Sequence, residues 1–325
     1  MTRSPNTPMS MASWHLTHKT GCGMSSGEPL TILRRTLEGY ARHPNFSKVF
    51  VIGLGCEVNQ VDGFLNTAGL SGRVQGFTIQ QLGGSHKAAQ RLLEEVKAAL
   101  SEANGVQREP MPASELKVAL ICGGSDGYSG ISANPALGAA SDLIVQNGGT
   151  IVLSETPETY GAEHLLTRRA ERRDIGEKLV QRMQWWDAYA KRENVSLNAN
   201  PSPGNKAGGL TTILEKSLGA MAKAGNTNLR QVVEYAEPVT EKGFVFMDAP
   251  GYDPVQVTGQ IAGGCNLVAF TTGRGSVFGS KPVPSIKLAT NTAMFERMAD
   301  DMDCRGPGGV VAGEERQPPP TPGAP

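Results

Sequence analysis

The residues with the richest chemistry sit in short turns. His18, Lys19 and Cys22 share the segment HLTHKTGCGM, and Cys56 and Glu57 follow an apolar run in VIGLGCEVNQ. Glu155 and His164 flank a TPETYGA turn. Imidazole, thiolate and carboxylate together make a donor set for a divalent cation, and His with thiolate suits iron or zinc better than magnesium. No Cys-x-x-Cys pair occurs, so a closed structural zinc site is not expected. On spacing alone, a surface histidine and a free thiol account for His18 and Cys22 equally well. A carboxylate at a helix N-terminus accounts for the acidic side chains of the TPETYGAEH stretch. Cys122 lies inside an apolar run and reads as core.

A second set could bind an anionic, hydroxyl-bearing ligand: Ser125 and Asp126 after CGG, Lys206 in GNKAGGLTT, Arg274 in TTGRGS, and Lys281. GNKAGGLTT lacks the Gly-Lys-Ser/Thr of a phosphate loop. It is either an anion cradle ahead of a helix or a flexible connection. GLGCEV places Val58 where the third glycine of a dinucleotide fingerprint belongs, so a tight turn is expected there and no nucleotide. A serine hydrolase has little support, with no Gly-x-Ser-x-Gly and only five histidines.

These turns need elements to hold them. Apolar runs predict strands at 48–54, 76–81, 116–122, 150–155, 243–248 and 266–272. Helical periodicity is expected at 28–42, 86–102, 135–147, 159–193, 210–224 and 291–302. Within 159–193 the RRAERRD run reads as a solvated face. Strands alternating with helices predict an α/β fold with mostly parallel sheets, in Rossmann-like three-layer units. Glycine-rich or small polar turns follow the strands at 55–60, 123–126, 155–156, 248–252 and 272–276. Ligands of such sheets sit beyond the carboxyl ends of the strands. One edge of the sheet is therefore expected to hold a polar ligand.

Composition narrows the class. The 325 residues carry 31 basic and 31 acidic side chains, which argues against a nucleic-acid or anionic-membrane partner. Glycine is enriched, at 40 residues, without any collagen period. No apolar run is long enough for a membrane helix, and no signal core precedes Ser13. Five cysteines, an odd number, fit reduced thiols in the cytoplasm. The expected organisation is a frayed start at 1–13, a first α/β unit at 14–104, and a linker at 105–115. A second α/β unit follows at 116–304, then a disordered tail at 305–325.

Several segments together resemble the altronate and galactarate dehydratases, a family of sugar-acid hydro-lyases. They are THKTGCGM (17–24), LRRTLEGYARHPNF (33–46), VIGLGCEVNQ (51–60), SETPETYGAEHLLTRRA (154–170), GNKAGGLTTILEKSLGA (204–220), AEPVTEKGFVFMDAPGYDPVQVTGQIAGG (236–264) and FTTGRGSVFGSKPVPSIKLATNT (270–292). The resemblance runs from about 14 to 303. It implies loss of water from an altronate-like hexonate or a hexarate to give a 2-keto-3-deoxy acid. It also implies an iron(II) requirement, with another divalent metal as the alternative. On chemistry and motif position, Cys22, Cys56, Glu155 and His164 are then the expected metal ligands, and His18, Lys19 and Glu57 the proton-transfer groups. Ser125, Asp126, Lys206, Arg274 and Lys281 would bind the substrate. The family carries a small N-terminal domain ahead of THKTGCGM. The expected protein partner is therefore a second copy of the chain or a separate small subunit of that type. Sulfolactate sulfo-lyase, whose catalytic chain is separate, is a competing expectation, as is an inactive truncated fragment.

Overall fold

The computed structural model describes residues 13–67, 70, 72–107 and 109–306. The stretches expected to be frayed, 1–13 and 305–325, lie almost wholly outside them. β1 (Val49–Gly53) and β2 (Val74–Thr78) form a two-stranded parallel sheet, with Val49 opposite Val74. The main sheet has six strands: β3 (Lys117–Cys122), β4 (Thr150–Leu153), β5 (Leu229–Val233), β6 (Gly243–Met247), β7 (Leu267–Thr272) and β8 (Ser285–Ala289). Their order is β5-β6-β4-β3-β7-β8, and every neighbouring pair is parallel. The molecule is thus an α/β protein.

The near-continuous apolar runs of β3, β4, β6 and β7 have a physical reason. A parallel strand covered on both faces has no side to leave polar. On one face Val118, Leu120, Ile151, Leu153, Phe244 and Phe246 meet Leu137, Leu179 and Met221. These three come from the helices Ala133–Gln146, Arg173–Arg192 and Ile213–Met221. On the other face Ala119, Ile121, Val152, Val245, Met247 and Phe270 meet Tyr40, Val257 and Ile261. Those belong to the helices Glu28–Arg42 and Asp253–Ala262. Phe244, Phe246 and Phe270 are fully buried, and each such side chain contributes roughly 1.5–3 kcal/mol.

The helix Glu28–Arg42 ties the smaller sheet's segment to the main sheet. A Cβ at Gly39 would fall 2.2 Å from the Ala262 carbonyl oxygen, so the two helices touch backbone to backbone. His43 Nε2 lies 3.0 Å from the Cys265 carbonyl, and Trp14 stacks on Tyr40.

The elements differ from expectation in several places, among them the short helices Val61–Leu65 and Pro203–Ala207, which were not expected, and the last helix, Thr292–Arg297, which is shorter than expected. The helix expected over 159–193 is broken into a 3-10 turn at Thr156–Thr159, a short helix His164–Thr167 and the helix Arg173–Arg192. Gly161 takes a left-handed backbone, and Arg169 and Glu171 pair with Leu229 through their main chains. Within the charged run, Arg169 lies over the Phe244 ring and donates to the Gly225 and Thr227 carbonyls, while Arg173 is exposed. β5 and β8 are strands that apolar patterning did not single out. β2 begins two residues before the expected start.

The chain leaves β3 toward β4 and leaves β7 toward β8, in opposite directions. The β3–β7 junction is therefore a topological switch point, where a crevice opens beyond the carboxyl ends of the strands.

Candidate functional site

The turns after the main-sheet strands meet at that edge. After β3, Gly123 and Gly124 allow close approach. A Cβ at Gly123 would fall 2.3 Å from Asp253 Oδ2, and one at Gly124 would fall 2.9 Å from the Gly275 carbonyl. Asp126 is buried and takes hydrogen bonds from the Tyr128 amide, Ser129 Oγ, Thr290 Oγ1 and Asn291 Nδ2. It sits against Gly273, where a Cβ would fall 2.0 Å from Asp126 Cγ. Asp126 thereby stitches the turns after β3, β7 and β8 together. The Arg274 amide donates to the Gly124 carbonyl, and its Cδ would lie 3.0 Å from a Cβ at Gly208. The 203–209 segment closes over this junction: Asn205 Nδ2 donates to the Ser125 carbonyl, and the Gly127 amide to that of Gly208.

Beside the junction lies a buried charged group. Glu155 is 1 % exposed, in a left-handed backbone conformation (φ 70°) rare for a side chain of its size. Its Oε2 accepts from Lys223 Nζ at 2.8 Å and lies 3.6 Å from Cys122 Sγ. Glu158 Oε1 accepts from Lys216 Nζ and from Asn200 Nδ2, both at 2.7 Å. Lys216 also donates to Asn200 Oδ1 at 3.0 Å. Two carboxylates and two ammonium groups thus neutralise one another out of water, the arrangement that makes buried charge tolerable.

Local sequence explains the placement. Thr212 caps the helix Ile213–Met221, on which Lys216 lies, and the chain runs straight on into the 3-10 turn Ala222–Ala224 carrying Lys223. Ser141 Oγ bonds the Lys223 carbonyl. A Cβ at Gly138 would fall 2.1 Å from the Ala222 carbonyl oxygen, so no larger residue lets that turn approach.

Burial pushes the Glu155 carboxyl up, to about 7, against the pull of Lys223. Burial alone would lower the pKa of Lys223, but the Cys122 thiol and the Glu155 carboxylate hold it above the ordinary lysine range, so the ammonium stays charged. Lys216 is raised in the same way, Glu158 outweighing desolvation. Burial first, then the charge of Glu155, drives the Cys122 thiol up to about 11.

Cys122, Glu155 and Glu158 place one ligand atom each within 4.8 Å of one another, and this group could hold a metal ion. Glu158 Oε2 is buried without a hydrogen-bond partner. An unsatisfied lone pair beside a thiol and a second carboxylate fits a cation. The donor set, one sulfur and two oxygens, suits a borderline first-row ion.

The residues expected from sequence fall in different places. Glu155 is in this group, and Ser125 and Asp126 are at the junction beside it. Arg274 and Lys206 are exposed on the turns that flank the junction. Cys22 and Cys56 are exposed in two turns joined by a bond from the Val58 amide to the Gly21 carbonyl. Neither belongs to the metal-capable group. His18 and Lys19 are exposed on the same strap, and His164 and Lys281 are exposed elsewhere. Glu57 Oε2 accepts from the Gly55 amide at 2.6 Å. Desolvation works against its charge, but the Gly55 amide and neighbouring backbone groups outweigh it and hold the carboxyl below the usual range. Sequence reasoning missed Cys122, Glu158, Lys216 and Lys223 as site residues.

A cleft of about 10 Å³ lies between Cys122, Ser125, Ser129, Asn134, Leu210 and Lys216. A larger groove, about 540 Å³, follows the outer face of the helix Arg173–Arg192. None of its lining residues belongs to the junction or to the buried charged group, and its charged lining includes the paired Arg173 and Glu177. The smaller cleft is the one that touches the chemistry.

Residues 113–318 match the family model described as D-galactarate/altronate dehydratase, C-terminal. Residues 7–104 match that of the D-galactarate dehydratase/altronate hydrolase second domain. The chain belongs to the D-galactarate/altronate dehydratase family. It is 41% identical to an altronate dehydratase of Bacillus subtilis (strain 168) over 284 residues, covering 86% of this chain and 56% of that protein. It is 40% identical to a galactarate dehydratase (L-threo-forming) of Escherichia coli (strain K12) over 292 residues, 86% of this chain and 55% of that one. It is 36% identical to a (2R)-sulfolactate sulfo-lyase subunit beta of Chromohalobacter salexigens over 282 residues, 85% of this chain and 72% of that one. The chain therefore spans a little over half the length of the two dehydratases.

Proposed function

We propose that this chain is the catalytic part of a hydro-lyase that removes water from a sugar acid, an altronate-like hexonate or a hexarate, giving a 2-keto-3-deoxy acid. Membership of the dehydratase family carries the reading. The buried charged group at the carboxyl edge of a parallel sheet supports it.

The chemistry asks for a base near the carbon next to the carboxylate, positive charge on that carboxylate, and a route for the β-hydroxyl to leave. The junction offers the charge: Lys216 within the cleft, and Arg274 and Lys206 on its flanking turns. Ser125 offers a hydroxyl. Asp126 has its bonds filled from two turns and packs against a third, so its part is to hold the turns. His18, Lys19 and Glu57 are proposed for proton transfer. Amide donors stabilise the charged form of Glu57, which weakens it as a base. A divalent cation held by Cys122, Glu155 and Glu158 would supply Lewis-acid stabilisation of developing negative charge, worth several kcal/mol. We propose iron(II) as that cation.

The name of the Chromohalobacter relative favours a second reading, elimination of sulfite from a sulfolactate-like acid by a chain that works with a separate subunit. Assays of the purified protein with altronate, galactarate and sulfolactate, following keto-acid formation and sulfite release, separate the two. Keto acid from a sugar acid without sulfite is the expected result; sulfite from sulfolactate alone would replace it with the second reading. Metal content after Cys122→Ala and Cys56→Ala tests the ligand assignment. Loss of iron in the first alone places the metal at the buried group, whereas loss in the second alone moves it to the exposed turns.

A further inference from the structure

The two buried lysines are not equivalent. Lys223 is wholly enclosed, and its backbone is clamped by Ser141 and by the close approach at Gly138. Lys216 is 9 % exposed and lines the cleft with Cys122 and Ser125. An ammonium group has three N–H donors. Two of those on Lys216 are used, by Glu158 Oε1 and Asn200 Oδ1, and the third has no partner among the described residues. On the same cleft, Ser125 is 2 % exposed and its Oγ is buried with no hydrogen-bond partner. A buried hydroxyl left unbonded costs about 1–3 kcal/mol. The two residues carrying these unused donors therefore line one small space, whose volume of about 10 Å³ admits a single water-sized group.

We propose that Lys216 and Ser125 grip one carboxylate oxygen of a hydroxy acid at the inner end of this cleft, with Lys216 as a catalytic residue in contact with the substrate. The proposal deepens the dehydratase reading and rests on it. The cleft takes one oxygen and no more. The rest of the acid then extends along the 203–209 segment, past Lys206 and Arg274. A charged donor placed where negative charge grows as the α-proton leaves acts more on turnover than on binding.

The test is calorimetric titration with tartrate, a short hydroxy-dicarboxylate, into the full chain and its variants, alongside keto-acid kinetics. Lys216→Met leaves Glu158 unpaired and can disturb folding, so the pair Lys216→Met/Glu158→Gln is used, with Glu158→Gln alone measured beside it to subtract the loss of a proposed metal ligand. Ser125→Ala changes only a hydroxyl. Tartrate is expected to bind the native chain, at least tenfold more weakly to the double variant, and about 3–10-fold more weakly to Ser125→Ala. In a turnover assay the double variant is expected to lose about 10²–10³ in kcat with a smaller change in KM. Unchanged tartrate binding in either variant overturns the proposal, as does a native chain that does not bind tartrate. If tartrate binding depends on both residues but no acid yields keto acid, the subsite stands and the dehydratase reading falls.

Discussion

Glu155 holds its place against its own backbone. Its left-handed conformation costs of order 1–3 kcal/mol, and its carboxylate is out of water. Lys223 and the surrounding core keep it there. Glu155→Gln leaves an ammonium buried and unpaired, and removing one partner of such a pair costs about 3–5 kcal/mol. Urea unfolding is expected to show that loss, and adding Lys223→Met to recover most of it. Asp253 gives a pH signature of its own. Burial first, then the charge of Glu158, pushes its carboxyl up to about 6. The folded chain therefore holds this proton where the unfolded chain, with an ordinary value near ~4, has released it. The contribution favours folding on the acid side and is lost as pH rises through about 6. Asp253→Asn removes that loss. Its gain in melting temperature over the native chain is expected to be larger at pH ~7.5 than at pH ~4.5, and an equal gain at both would refute the assignment. At this scale the sequence was only half legible. Glu155 stood out because it ends a strand, but Lys223 in AMAKAG looks like any solvated lysine near a helix end. Pairing between residues 68 positions apart leaves no local pattern.

Among the elements, β3, β4, β6 and β7 were readable because full burial forces unbroken apolar runs. β5 was not, because LRQVV places Arg230 and Gln231 in the strand, where the pairing with β6 also slips register. β8 was masked by the prolines of KPVPSIKLA. The helix expected over 159–193 failed for a tertiary reason: the Arg169 carbonyl and the Glu171 amide are spent on main-chain pairing with Leu229. The glycines after β3 signalled close approach, which the structure shows at Gly123 and Gly124. Gly138 gave no such signal, since a glycine inside a helix has many causes. Gly138→Ala drives a methyl into the Ala222 carbonyl, and overpacking of this kind costs about 1–3 kcal/mol. The turn carrying Lys223 is expected to be pushed off Glu155, so keto-acid production should fall by more than the unfolding midpoint alone accounts for. Activity that merely follows the folded fraction would show the turn has no such role.

Across the whole molecule, the segment bearing β1 and β2 is attached to the main sheet through the helix Glu28–Arg42. The attachment includes the backbone contact at Gly39, the His43 bond, the Trp14–Tyr40–Phe46 stack, the Arg35 ion pairs with Glu234 and Glu237, and the bond from Asn45 Nδ2 to the Pro282 carbonyl. Gly39→Ala is expected to loosen it. Near-UV circular dichroism from Trp14 should weaken, and proteolysis ahead of residue 105 should quicken while the six-stranded sheet persists. A variant as protease-resistant as the native chain would show that the other contacts suffice. The knot around Asp126 has a wider consequence. With four donors from two connections sharing one carboxylate, and a third connection packed against it at Gly273, that side of the switch-point crevice is rigid masonry. Opposite it stands a short helical turn, Pro203–Ala207, fastened by its own Ser202–Asn205 capping box and by one bond to Ser125. Any divergence in which acid a relative accepts should accumulate in that hinge-side facing, where a changed length or charge disturbs least.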